Sequence, residues 1–153
     1  MKLDRKYLAG LIDGEGCFGI DKRLRGKRWI CLTPNFQFSN THKEIVEDLK
    51  DTFGIGTINL SKHPNRPNYK PCWNYRVNGF AVKKVIKYVL PYLRIKKEQA
   101  ELVLKFIEIR EKEWKKRKPY SPILFEIQRK VSLLNRRGVK PMSDPNNRNR
   151  EIL

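Results

Sequence analysis

The sequence has few acidic residues, few cysteines and no long apolar run. Its 16 Asp and Glu residues face 34 Lys and Arg residues, which gives a formal net charge of +18. The three cysteines are an odd number without CxxC spacing, which argues against a disulfide framework or a zinc ribbon and predicts reduced packing residues in a reducing compartment. No apolar segment reaches the roughly 20 residues that span a bilayer, so we expect no membrane partner.

The basic excess indicates a polyanionic partner, and nucleic acid fits better than a membrane surface because no segment forms a clean basic amphipathic anchor. Hydrophobic residues make up 39% of the 153 residues, which predicts a globular chain. We expect one domain over 1–138 and a basic, flexible tail over 139–153. Charge alone does not separate DNA from RNA, and it leaves open a basic ribosome-associated or transcription-regulating module.

The most informative segment is Leu8–Gly16, where an apolar run with helical spacing ends in two acids, Asp13 and Glu15. Carboxylates at the C-terminal end of a helix oppose its macrodipole and cost about 0.3–1 kcal/mol each. A divalent cation would reverse that cost, because carboxylates and helix-end carbonyls are hard oxygen ligands. The bland alternative is a core helix stopped by glycine, with both acids solvated.

Alternation and helical periodicity predict the remaining elements. The predicted strands are 17–24, 30–39, 57–61 and 72–77. The predicted helices are 41–53, which starts from the capping box Thr41–Glu44, then 80–90, 97–116 and 121–134. Pro34 predicts a bulge or an edge in the second strand. This order predicts an α+β domain with one antiparallel four-stranded sheet, apolar and helix-covered on one face and open and polar on the other.

The string Leu-Ala-Gly-Leu-Ile-Asp-Gly-Glu-Gly at 8–16 closely resembles the signature of the LAGLIDADG homing endonucleases, and Pro91–Ala100 looks like a second family segment. The resemblance implies the order helix-β-β-helix-β-β-helix, with a saddle-shaped sheet that lies in the major groove of double-stranded DNA. Because the motif occurs once, the chain resembles the homodimeric members. Ala9 and Gly10 would let two copies of the motif helix approach closely, and the predicted interface is Leu8, Ala9, Gly10 and Ile12.

The resemblance also implies an active site that depends on Mg²⁺, with Mn²⁺ and Ca²⁺ compatible with the same ligands. Glu15 would bind the metal together with the backbone carbonyl of Gly14, and Asp13 would support the helix end or the outer shell of the metal. Lys96 would polarise the active-site water or stabilise developing charge. Asn40 falls where family members often carry a water-positioning glutamine.

We expect the open sheet face and its adjoining turns and loop to contact DNA, because amides, hydroxyls and guanidinium groups offer directional contacts to base edges. The predicted DNA-binding residues are Asp21, Arg23, Arg25, Arg28, Thr33, Asn35, Gln37, Asn59, Ser61, Lys62, Arg66, Lys70, Asn74 and Arg76.

Together these features predict an intron-encoded homing endonuclease that makes a staggered double-strand break in a long pseudo-palindromic target. An organelle matrix or a prokaryotic or phage cytoplasm is the expected location. Two alternatives keep the fold: an RNA maturase that assists intron splicing, and a module that binds nucleic acid without cutting it.

Overall fold

The structure is a computed structural model that describes residues 1–62 and 68–136. Helices α1 to α5 span Arg5–Glu15, Lys43–Phe53, Val82–Val89, Lys97–Lys115 and Pro122–Leu134. Strands β1 to β4 span Gly16–Arg25, Trp29–Asn40, Thr57–Ser61 and Cys72–Asn78. None of these helices has the length and apolar character that a membrane span requires. The predicted tail lies outside the described residues, so the domain boundary stays a prediction.

The four strands form one antiparallel sheet in the order β1-β2-β4-β3. Phe18, Phe36 and Tyr75 point to one face and lie fully buried against the helices. Side chains one position out of phase, such as Asp21 and Arg76, point to the opposite, polar face, because successive strand residues alternate. The predicted α+β class, with helices on one face of a single antiparallel sheet, is confirmed.

The hairpin of β1 and β2 projects beyond the rest of the sheet. Strand β2 pairs with β1 along almost its whole length but with β4 only from Asn35 to Asn40. The Tyr120 hydroxyl accepts a hydrogen bond from Leu32 N at 3.3 Å and donates one to Leu32 O at 3.4 Å, so it satisfies the free edge. At Pro34, two residues further along β2, a backbone N–H would point to the same edge, and proline has none to leave unsatisfied there. Of the two predicted alternatives, the edge is correct, since Pro34 pairs with Ile20 without a bulge.

The core lies between the sheet and the five helices. Phe18 and Phe36 pack against each other with ring centroids 4.9 Å apart and ring planes tilted by 37°. The Tyr75 hydroxyl donates to the carbonyl oxygen of Ile55 at 2.7 Å, and burial raises the pKa of this tyrosine. Thus the largest polar group in the core has a partner and stays protonated at physiological pH.

Two predicted helix starts were wrong. Helix α2 has His42 as its N-cap and no side-chain cap, so the predicted capping box from Thr41 does not form. Its place is taken by Asn40, whose Oδ1 accepts a hydrogen bond from His42 N at 2.9 Å. Helix α3 begins only after a 3-10 turn over Gly79–Ala81, two residues later than predicted.

The C-terminal end of α4 adopts a strained turn. Arg117 N bonds to Trp114 O at 3.0 Å and Lys118 N bonds to Glu113 O at 2.9 Å, which is the Schellman arrangement. In that arrangement Arg117 takes the left-handed conformation, with φ of 52°, where a β-carbon is disfavoured and glycine is usual.

We expect Arg117→Gly to stabilise the protein by about 1 kcal/mol, because removal of the β-carbon relieves the left-handed strain and exceeds the entropic cost of glycine. Thermal unfolding should show a melting temperature higher by about 2–4 °C. Arg117→Ala removes the same charge but keeps the β-carbon, and it should not raise the melting temperature. Equal melting temperatures for both variants would contradict the strain.

Candidate active site

The end of α1 is joined to the start of α4 by the carboxylate of Asp13. Its two oxygens accept hydrogen bonds from the backbone N–H groups of Arg94 at 2.9 Å, Ile95 at 3.2 Å and Lys96 at 3.0 Å. These groups precede the first turn of α4, where the helix dipole is positive. The electrostatic cost expected for an acid at the end of α1 is therefore compensated for Asp13 by α4.

Lys96, at the start of α4, in turn contacts the end of α1 through its side chain. Its Nζ donates hydrogen bonds to the carbonyl oxygen of Ile12 at 3.2 Å and to that of Gly16. The carbonyl of Ile12 also accepts the backbone N–H of Gly16, and the C-terminal end of a helix carries the negative end of the dipole, so an ammonium group is favourable there. The structure thus brings Lys96 and Asp13 together at the end of α1, on either side of Gly14 and Glu15.

Glu15 is the last residue of α1, and its side chain is exposed. Within the described part of the chain its carboxylate has no hydrogen-bond or ion-pair partner. Glu44, Glu98, Glu101 and Glu126 also lack a partner in these residues, so what distinguishes Glu15 is its position at the end of α1, where Asp13 and Lys96 join that helix to α4. The free carboxylate and the helix-end carbonyl of Gly14 form an exposed pair of hard oxygen donors.

The Glu15 carboxylate and the Gly14 carbonyl match part of the coordination that Mg²⁺ prefers. Mg²⁺ commonly keeps several waters and takes one or two protein carboxylates together with phosphate oxygens of the substrate. In residues 1–62 and 68–136, no three His, Cys, Asp or Glu side chains lie close enough to hold a metal ion. A single chain therefore offers one exposed carboxylate and helix-end carbonyls, and further ligands must come from outside it.

Asn40, predicted to position water, ends β2 at the same end of the sheet as Glu15. Strand register pairs Gly16, which follows Glu15, with Phe38, two residues before Asn40. The amide oxygen of Asn40 accepts a hydrogen bond from the His42 backbone N–H, and its Nδ2 has no hydrogen-bond partner in residues 1–62 and 68–136.

Most of the predicted DNA-binding residues share the open sheet face. Arg76 Nη2 lies 2.7 Å from Asp21 Oδ2, and Arg23 Nη2 lies 3.3 Å from the same oxygen. The other predicted strand residues on this face are Arg25, Thr33, Asn35, Gln37, Asn59, Ser61 and Asn74. Sequence reasoning missed Ser39, Thr57 and Asn78, which have the same register parity. Ser39 Oγ donates to Asn74 Oδ1 at 2.6 Å. The alternation within each strand was the signal that could have found them.

The remaining predicted contacts lie outside the four strands. Arg28 lies exposed in the turn between β1 and β2, and Lys62 and Lys70 are exposed beside the loop between β3 and β4. Arg66 lies outside the described residues. Trp29, 77% exposed at the start of β2, was missed because the predicted strand began one residue later, at Ile30.

The predicted dimer interface was wrong for Leu8, Ala9 and Ile12. These side chains have no exposed surface, because they pack into the core of their own chain. The outward side of α1 instead carries Gly10 and its neighbours. Outside the helix, no atom of the described chain lies within 4 Å of where a β-carbon on Gly10 or Gly14 would be.

The family model of the LAGLIDADG endonucleases matches residues 8–111, which include most of α1, the whole sheet and most of α4. The chain belongs to the LAGLIDADG endonuclease family. The resemblance of the motif at Leu8–Gly16 is thereby confirmed.

Three members of this family show how far the likeness extends. DNA endonuclease I-CvuI of Chlorella vulgaris is 32% identical over 108 residues, which cover 67% of this chain and 62% of the relative. Its crystal structure with the I-CreI target DNA has a TM-score of 0.68 at 23% identity and covers 90% of this chain and 85% of the other. The archaeal intron-encoded I-Vdi141I, complexed with DNA, has a TM-score of 0.67 at 21% identity and covers 94% and 90%. I-SmaMI bound to cleaved DNA has a TM-score of 0.68 at 20% identity and covers 91% of this chain but 46% of its own. The three structural likenesses show the fold.

The two acids of the motif should respond differently to loss of charge. Asp13→Asn should destabilise the chain by about 1–2 kcal/mol, because the amide turns donors toward backbone N–H groups that need an acceptor. Glu15→Gln, the matched change two residues away, should alter the unfolding free energy by less than about 0.5 kcal/mol, since the carboxylate has no partner to lose. Urea unfolding of both variants measures the difference, and equal destabilisation would contradict these separate roles.

Proposed function

We propose that this chain is a homing endonuclease that hydrolyses a phosphodiester bond in each strand of a long duplex DNA target. The observation that carries the proposal is the position of the exposed Glu15 carboxylate, at the end of α1 where Asp13 and Lys96 join that helix to α4, in a chain of net charge +18. A protein that only binds nucleic acid gains nothing from an unpaired acid near its polyanionic ligand.

Glu15 and the carbonyl of Gly14 would hold Mg²⁺, or Mn²⁺ or Ca²⁺ in its place. A metal bound there would neutralise the scissile phosphate and lower the pKa of a coordinated water. In this proposal the ammonium group of Lys96 stabilises the charge that develops on the attacking and leaving oxygens. The free Nδ2 of Asn40 orients the water from the end of β2. Asp13 holds these groups in place through α4 and touches no substrate.

We further propose a homodimer formed by the outward face of α1, with Tyr7, Gly10, Leu11 and Gly14. This spacing of three and four residues places them along one side of a helix, and Tyr7 is 54% exposed. The two glycines allow close approach of two helix backbones. The part of I-SmaMI that matches this chain makes up 46% of I-SmaMI. I-SmaMI is therefore about twice as long as the match and has room for two such units. Dimerisation would bring two Glu15 carboxylates to one axis and provide one active site for each DNA strand.

The open sheet face of each protomer would lie in the major groove, so two copies would span about 20 bp and favour a pseudo-palindromic target with staggered cuts. The exposed basic residues of the β1–β2 turn and of the loop after β3 would contact the flanking phosphates. None of the three cysteines forms a disulfide bond, which fits an organelle matrix or a prokaryotic or phage cytoplasm.

The second candidate is an RNA maturase on the same fold. The polar open face and the charge of +18 suit RNA as well as DNA. The free Glu15 favours the nuclease, and the following experiment separates the two.

We expect the wild-type chain with Mg²⁺ to cut a randomised pseudo-palindromic duplex library at one recurring site, leaving staggered ends. Glu15→Gln should reduce cutting by at least about a hundredfold while duplex binding persists, because the carboxylate acts on the chemical step. Sequencing of the cut ends measures both. Tight duplex binding by wild type without metal-dependent cutting would contradict the endonuclease, and binding to intron RNA would then be measured.

The dimer predicts a graded response at Gly10. Gly10→Ala should keep the dimer, whereas Gly10→Val should give a monomer, because the larger side chain holds the two backbones apart. Both variants should fold, since space is open at this position within one chain. Sedimentation velocity measures the oligomeric state, and circular dichroism is the folding control. A dimeric, folded Gly10→Val variant would contradict an interface through this face.

A further inference from the structure

Asn35 lies at the centre of the open sheet face, yet only 2% of its surface is exposed. Its Oδ1 accepts a hydrogen bond from Gln37 Nε2 at 3.3 Å. Its Nδ2 is buried and has no hydrogen-bond partner in the described part of the chain. A buried donor without a partner is costly, and on a face without helices its burial needs a cause.

The strand register supplies that cause. Asp21 of β1 lies opposite Thr33 of β2, and Arg76 of β4 lies opposite Gln37 of β2, so Asn35 is midway between the two positions. The Asp21–Arg76 ion pair, at 2.7 Å, must span the intervening strand and passes over Asn35.

The neighbouring strands also enclose Asn35 on both sides. On one side lies Gly19, where a β-carbon would be 3.2 Å from Asn35 Oδ1. On the other side lies Asn78, whose Oδ1 accepts a hydrogen bond from Arg76 Nε at 3.0 Å. Arg76 is thereby fixed in place by Asp21 and Asn78 together.

The Asp21–Arg76 ion pair lowers the general affinity of the open face for a polyanion. Among the described strand residues on the open face, Asp21 is the one acid. It repels phosphates, and it also engages Arg76 and Arg23, which would otherwise attract them. A face selected only for tight binding would carry an amide or a hydroxyl at this position.

We propose that Asp21 is a specificity-determining residue of the endonuclease proposed above, on which this inference rests. On non-target DNA the ion pair stays closed, Asn35 stays covered and the carboxylate opposes binding. On the target the base edges replace the contacts that the ion pair loses. Guanine offers O6 and N7 to Arg76, cytosine offers its N4 amino group to Asp21, and Asn35 Nδ2 gains an acceptor. A G·C pair supplies the first two contacts together, so the target carries one at this position in each half-site.

The test compares Asp21→Asn with wild type for binding to two duplexes without Mg²⁺: a random-sequence pool and the target recovered from the cleavage library. Asp21→Asn should bind the random pool roughly tenfold more tightly and gain less than about twofold on the target, so the specificity ratio falls several-fold. Glu126→Gln makes the same charge change at an exposed position on α5. It should shift both affinities equally, by less than about twofold.

A second pair of variants tests whether Asp21 acts through Arg76. In an Arg76→Gln background the further change Asp21→Asn should tighten random-pool binding by much less than tenfold, because Arg76 is absent and only the loss of the negative charge and the release of Arg23 remain. Melting temperatures of all variants check that they fold. Equal tightening on both duplexes, or additive effects of the two changes, would overturn the inference. A wild type that neither binds nor cuts duplex DNA would overturn the endonuclease itself, whereas a cutting wild type whose specificity ratio is unchanged in Asp21→Asn would overturn only the role of Asp21.

Discussion

The reciprocal contact between the end of α1 and the start of α4 is the constraint on which the candidate site depends. Asp13 gives the N-terminal end of α4 an anion, and Lys96 gives the C-terminal end of α1 a cation, so each helix supplies the charge that the other needs. The turn from α1 into β1 is held just as tightly, since a β-carbon on Gly16 would come within 2.9 Å of Ile12. The position of Glu15 follows from these contacts and needs no contact of its own.

The sheet separates the requirements of folding from those of recognition. Its helix-covered face carries the aromatic core, and its other face carries the polar side chains, because one strand residue in two is available to each. The projecting half of the β1–β2 hairpin has no β4 neighbour, and the Tyr120 hydroxyl satisfies its edge at Leu32. Arg110 in turn stacks on the Tyr120 ring, with its guanidinium carbon 4.1 Å from the ring centroid. The distant end of α4 thereby supports the hairpin that extends furthest from the core.

Local pattern was sufficient for the elements and insufficient for the contacts between them. Alternation located all four strands within about two residues, because a half-buried strand must alternate whatever its neighbours are. It failed for the predicted dimer interface on α1, since Leu8 and Ile12 point into the core and Gly10 points outward. Both sides of α1 carry apolar or small residues, so the hydrophobic periodicity could not show which side faces the core. The Asp21–Arg76 ion pair joins residues 55 positions apart across β2. It depends on a strand order that chain order does not reveal.

The contacts of Asp13 and Lys96 explain why Glu15 has no partner in the described residues although a lysine is bound at the same helix end. In solution an exposed acid near mobile lysines forms transient ion pairs, and Lys96 lies at the end of α1. Its ammonium group is directed instead to the carbonyl oxygens of Ile12 and Gly16. The two carbonyl oxygens thereby occupy the N–H groups of Lys96 that would otherwise bind Glu15. Asp13 is likewise committed to backbone N–H groups, so neither side chain competes for the space around Glu15. The same contacts that stabilise the helix junction therefore leave one acid available to a ligand from outside the chain.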